Sequence, residues 1–216
     1  QKSNYSGARD KAELCYRNDG ELIAYVFEGG KLDEILKLKS EIRDLFGIGN
    51  HSIHITDTPA ESIQISKILF NENSIEFLNY GNPFLYENVN KSLQEFKTKL
   101  IGNRLSLDDF IIDSSTTLGL YGLRESKDID FITTLREYNK IESEKCENHH
   151  KYIKLYETTI DDLVYNPENY FVFDDIKFIT LANLRKFKIN RNEDKDLVDL
   201  HLIDSIFKND TKIKKN

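Results

Sequence analysis

Residues 128–131, Asp-Ile-Asp-Phe, alternate strictly between acidic and apolar side chains, and Ile132 follows. In a strand this period sends Asp128 and Asp130 to one face and Ile129 and Phe131 to the other. Two like charges on one face repel unless a counter-charge stands between them, and a divalent cation is the commonest remedy. The stretch before this motif constrains the fold further. Phe110-Ile111-Ile112 is short and β-branched enough to be a buried strand. Asp113-Ser114-Ser115 then offers a helix N-cap, Leu118, Leu120 and Tyr121 continue into a short helix, and Gly122 is placed to close it. The expectation is strand, short helix, strand, with the acid pair on the second strand.

The remaining elements are read from periodicity and punctuation. Residues 22–27 predict a strand, 31–46 an amphipathic helix, 51–57 a second strand and 74–79 a third. Thr58-Pro59-Ala60-Glu61 is a capping box with proline at the first helical position, so a helix begins there. This order predicts a small α/β layer with parallel pairing over residues 1–86, closed by a break at Gly81-Asn82-Pro83. Beyond it, residues 90–100 read as a helix and the polar run 135–151 as exposed, with His149 and His150 at the solvent. Residues 151–164 read as helical, 170–179 as a hairpin turning at Asp174-Asp175, and 181–188 as a helix. The overall class is α/β (α+β): a mixed sheet with helices over residues 87–216, preceded by the small α/β domain.

Composition removes several function classes. The net charge of −7 opposes general nucleic-acid binding, which needs a basic surface. No apolar run approaches the length of a membrane span. Cys15 and Cys146 are too far apart to form a metal-ligand spacing, and a reducing, cytoplasmic compartment suits them. The chain has no Met, even at position 1, so it is expected to be a piece of a longer polypeptide. His51, His54 and Asp57 invite a metal reading, but in a strand His54 faces away from the other two. The helix start at Thr58-Pro59 is the better anion candidate in that region.

Strand, small polar turn, short helix and then Asp-x-Asp on a second strand resembles the nucleotidyltransferase superfamily, the fold of polymerase-β-like enzymes and small bacterial nucleotidyltransferases. Asp113-Ser114 stands in the Gly–Gly/Ser place of that family, residues 115–127 form the spacer, and Asp128 and Asp130 match the metal-binding pair. Arg124 lies where many small members carry an Arg. A second motif series follows in the family's order: Ile176-Lys-Phe-Ile-Thr-Leu-Ala-Asn-Leu184, Lys188, Arg191, and Lys195-Asp196-Leu-Val-Asp199-Leu200. The resemblance covers about residues 90–205. The chain departs from the pattern at Asp113, which puts a negative side chain where the family lets backbone approach a triphosphate.

The resemblance implies transfer of a nucleoside monophosphate from a nucleoside triphosphate to a small-molecule acceptor, a sugar phosphate in surface-polysaccharide synthesis being one candidate. Asp128 and Asp130 would hold Mg2+ or Mn2+ on the triphosphate. Ser114, Ser115, Arg124 and Lys188 would contact phosphates, and Asp174 is the candidate third carboxylate, with Asp175 and Glu157 behind it. Each residue also has a plain structural reading. The acids can be a solvated edge strand, the serines N-caps, Arg124 an ion pair with Glu125 or Asp128, Lys188 with Arg191 and Lys195 a solvated helix face, and Asp174 a turn residue. Two other functions stay open: a degenerate nucleotide-binding or docking module of a larger biosynthetic protein, and a toxin-type nucleotidyltransferase.

Overall fold

Phe110–Asp113 (β1) lies at the centre of a mixed sheet, in a computed structural model that describes residues 5–16 and 21–213. The neighbours of β1 are Ile129–Thr133 (β2), antiparallel, and Ile176–Ile179 (β5), parallel. Cys146–Asn148 (β3) runs parallel to β2 on one edge, and Tyr170–Phe173 (β4) runs antiparallel to β5 on the other. Among the described residues the sheet therefore has five strands in the order β3-β2-β1-β5-β4. Fold class is α/β with a mixed sheet, as the sequence predicts.

The chain divides into two compact units, residues 1–66 and 67–216. The first contains Tyr5–Cys15 (α1), Leu32–Phe46 (α2) and most of Pro59–Leu69 (α3). No strand forms among its described residues. The expected strands at 22–27 and 51–57 have no ladder partner, and the third expected strand, at 74–79, is instead part of the helix Glu72–Tyr80 (α4). Asn71 settles that difference, because its side chain accepts from the Ser74 N–H at 2.8 Å and starts a helix across residues whose apolar spacing fits either period. The Thr58 cap expected before α3 forms, with the Glu61 N–H donating to Thr58 Oγ1, while Glu61 Oε2 reaches back one residue further than a capping box and accepts from the Asp57 N–H.

Helix α4 belongs to the second unit, so the break at residues 81–83 does not separate the units. It covers the edge strand β4: Ser74 Oγ accepts from the Val172 N–H at 2.9 Å, Asn71 Nδ2 donates to the Tyr170 carbonyl at 3.1 Å, and Phe77 stacks on Phe171 at 4.4 Å. Edge amides that would otherwise seek another strand are thereby satisfied. Glu87–Gly102 (α5) buries Val89, Leu93, Phe96 and Leu100, and the Phe96 ring packs against Phe110 and Phe131. Ser114–Leu120 (α6) leads out of β1 and is closed by Gly122 at φ 71°, as expected.

The paired registers sort the sheet into two faces. Phe131, Ile112, Phe178 and Phe171 form one row across it, while Ile132, Ile111, Lys177 and Val172 form a row on the other face. On that second face lies the segment from the 3-10 helix His150–Tyr156 to Ile160–Tyr165 (α7), which is broken at Glu157, φ 56°. Two helices complete the unit, Leu181–Arg191 (α8) and Asp194–Ile213 (α9). Among the described residues no helix is long and apolar enough to cross a membrane.

Candidate functional site

Asp113 and Asp130 are direct partners across the antiparallel β1–β2 ladder. Opposite residues of such a pair share one face with Cβ atoms about 5 Å apart, and like charges there are destabilising. Both acids are removed from water, with 0% and 8% of their surface exposed. A counter-charge is required, and it comes from His149, 5% exposed, just after β3. Its backbone N–H donates to the Phe131 carbonyl at 2.8 Å, which fixes the ring over the acid pair. His149 Nδ1 stands 3.1 Å from Asp113 Oδ1 and 3.2 Å from Oδ2, while Nε2 stands 3.2 Å from Asp130 Oδ1.

Burial alone lowers the His149 pKa. The hydrogen bonds and charges of Asp113 and Asp130 outweigh it and raise the pKa to about 10. Tyr156 adds a fourth group, its hydroxyl donating to Asp113 Oδ2 at 2.6 Å while its ring stacks on Phe187 at 4.8 Å. Burial and the Asp113 charge push this phenol well above its ordinary pKa, so it stays a donor. Asp113 Oδ1 has no aligned hydrogen-bond donor, although it lies close to the His149 ring. One donor atom from each of Asp113, Asp130 and His149 falls within 4.8 Å of the others, a set suited to a metal ion.

Asp128, placed by the sequence beside Asp130 as a metal ligand, lies just before β2 and is exposed. Its carboxylate meets Ser115 Oγ at 3.4 Å, and its carbonyl accepts from Thr116 Oγ1 at 2.9 Å and Ser126 Oγ at 2.7 Å. Ser115 also shares a hydrogen bond of 2.9 Å with Ser126, so these hydroxyls fasten the turn before β2 onto α6. Ser114 adopts φ 58°, a left-handed conformation that costs a non-glycine residue about 1–2 kcal/mol. The strand-to-helix turn at the acid pair is therefore strained.

Arg124 and Lys188, expected at phosphates, meet on a carboxylate of α9 instead. Arg124 grips Asp199 through Nε at 2.6 Å and Nη2 at 3.0 Å, and Lys188 Nζ reaches Asp199 at 2.7 Å and Asp196 at 3.1 Å. Arg191 closes the chain of charges on Asp196 at 2.9 Å, so only Lys195, paired with Glu193, fits the solvated-face reading. Asp174 sits in the β4–β5 turn at φ 49°, held by Gln94 at 2.6 Å and Lys97 at 3.1 Å. Because β5 runs parallel to β1, this turn lies at the entry end of the sheet and Asp113 at the exit end. Asp174 thus does not join the acid pair. Glu157 is held by Lys186 at 2.7 Å.

In the first unit, Lys39 holds Asp57 at 2.8 Å and His54 meets Glu61 at 3.0 Å, so the histidines and Asp57 do not converge. The expected solvent position of His149 is corrected: the polar run 135–151 contains β3 and the buried Ile141, and it delivers this histidine to the sheet. Lys177, on the same face as Asp113, is also buried, and desolvation lowers its pKa to about 8 despite the charge of Asp108. Its ammonium donates to the carbonyls of Asp108 and Val164 and lies over the Tyr165 and Tyr170 rings, a structural setting.

No family model, curated protein or solved structure matches this chain.

Proposed function

We propose that the chain transfers a nucleoside monophosphate from a cation-bound nucleoside triphosphate to a small hydroxyl or phosphate acceptor, at a site centred on Asp113 and Asp130. The observation that carries this reading is the buried cross-strand carboxylate pair, one of whose oxygens lacks a hydrogen-bond donor. The motif order over residues 90–205 and its resemblance to nucleotidyltransferases support the same reaction class.

The donor set fits a divalent cation, with Asp113 and Asp130 as its carboxylate ligands. When bound, such an ion supplies neutralisation of triphosphate oxygens and activation of the attacking hydroxyl. Tyr156 orients the Asp113 carboxylate, and the Ser115–Ser126–Thr116 hydroxyls hold the turn that aims β2 at it. Asp128 is the exposed carboxylate just before β2, two residues from Asp130, and takes the acceptor's proton in place of Asp174. The net charge of −7 favours a small acceptor over a polynucleotide, and two free cysteines suit a cytoplasmic setting.

A second reading is favoured by one observation: His149 already supplies positive charge to both carboxylates. A chain that keeps this pairing binds nucleotide as a docking module without turning it over. Pyrophosphate release, measured with each triphosphate, Mg2+ or Mn2+ and a panel of sugar phosphates, separates the two. Release that disappears in Asp130→Asn supports transfer. Cation-dependent triphosphate binding without release supports the module.

A further inference from the structure

We infer that His149 is a ligand of the cation, so that the site takes an imidazole-accepting transition ion such as Mn2+ or Zn2+ in preference to Mg2+. This rests on the reading of Asp113 and Asp130 as a cation seat and adds the class of ion that seat selects.

The ring cannot stand aside from an ion bound by both carboxylates. It is buried, anchored through its own backbone N–H to the Phe131 carbonyl, and packed edge-on against Tyr152 at 4.9 Å. Each ring nitrogen lies 3.1–3.2 Å from a carboxylate oxygen, one from Asp113 and one from Asp130. Donors that share an ion at bond lengths of about 2.1 Å lie about 3.0 Å apart in octahedral and about 3.4 Å apart in tetrahedral geometry. Each ring nitrogen is therefore near co-ligand spacing to one carboxylate, and the set of three donors, within 4.8 Å of one another, closes on an ion that one of those nitrogens ligates. A ring N–H and an ion also compete for the same carboxylate lone pairs, so coordination releases one ring proton to solvent, and the ion takes over as counter-charge to the two carboxylates.

Mg2+ takes oxygen ligands and keeps its waters, whereas Mn2+ and Zn2+ accept mixed carboxylate and imidazole donors. The Asp113, Asp130 and His149 set is of the second kind. Tyr156 donates to Asp113 Oδ2 and so holds the carboxylate in the orientation that leaves Oδ1 without a hydrogen-bond donor.

The experiment titrates Mn2+, Zn2+ and Mg2+ separately into the intact chain by calorimetry and records the electron spin-echo modulation of the bound Mn2+. The expected result is one saturable site that prefers Mn2+ and Zn2+ to Mg2+ by about tenfold or more, with nitrogen-14 modulation in the Mn2+ spectrum. In His149→Gln the modulation is lost and the preference narrows. Mn2+ bound without nitrogen modulation overturns the inference on the unaltered chain alone, even if His149→Gln fails to fold, and leaves the carboxylate seat standing. Absence of binding by any of the three ions overturns both. Nitrogen coordination without pyrophosphate release supports the inference while removing nucleotidyl transfer.

Discussion

Arg124, in the turn before β2, holds Asp199 of α9 in a two-pronged grip of 2.6 and 3.0 Å. Asp199 in turn meets Lys188, and Lys188 meets Asp196, so residues from three stretches of sequence form one charge network. The Lys188 and Asp196 side chains are each 1% exposed. Residues that looked like separate phosphate contacts fasten the two C-terminal helices to the loop that leads into β2.

Removing Lys188 leaves two buried carboxylates short of a partner. Lys188→Ala is expected to lower unfolding free energy by about 3 kcal/mol, because breaking a buried pair strands its remaining charges. Arg124 and Arg191 still serve those acids, which keeps the loss at the low end of the about 3–5 kcal/mol that breaking a buried pair costs. Urea unfolding measures it. A change under about 0.5 kcal/mol, typical of a surface substitution, contradicts the buried-network assignment.

Acid should weaken the same network. Burial raises the Asp196 pKa, but hydrogen bonds from Arg191 and Lys188 lower it overall from 3.8 to about 2. A carboxylate depressed on folding stabilises fully above its unfolded pKa, and the stabilisation disappears as pH falls through about 2. Urea midpoints between pH 5 and pH 2 should therefore fall less steeply in Asp196→Asn than in the unaltered chain. Equal slopes contradict the linkage.

Asp174 lies at the far end of the sheet from Asp113, in a turn whose partners are Gln94 and Lys97. Asp174→Ala should leave pyrophosphate release within about twofold and cost no more than about 1 kcal/mol, the range of exposed pairs. A loss of turnover matching that of Asp130→Asn contradicts this placement.

Tyr156→Phe removes the hydroxyl donor from Asp113 Oδ2 without changing the ring that stacks on Phe187. A buried carboxylate that loses a donor is destabilised by about 1–3 kcal/mol. Loss of an outer hydrogen bond of this kind weakens metal affinity about tenfold. Thermal unfolding and Mn2+ calorimetry on the variant read the two effects separately.

The sequence made the local units legible. The β1–α6–β2 order, the glycine closing α6, the Thr58 cap before α3 and the hairpin turning at Asp174-Asp175 all depend on neighbouring residues and form as expected. What depends on distant partners was less visible. Residues 22–27 have strand-like composition, yet a strand exists only with a ladder partner. Residues 74–79 suit either period until the Asn71 cap is seen. Asp128 and Asp130 were readable as sharing a face, but the acid opposite Asp130 is set by the β1–β2 register, which makes it Asp113. His149 lies in a polar run that resembles a surface loop. Only the β2–β3 pairing brings it beneath the solvent.

The central claim is that Asp113 and Asp130 together form a cation seat, and calorimetric titration of Mn2+ into the intact chain and into Asp113→Asn/Asp130→Asn tests it most directly. One saturable site in the intact chain, weakened by more than about tenfold in the double variant, is the expected result. Either a heat-silent intact chain or undiminished binding by the double variant contradicts the account.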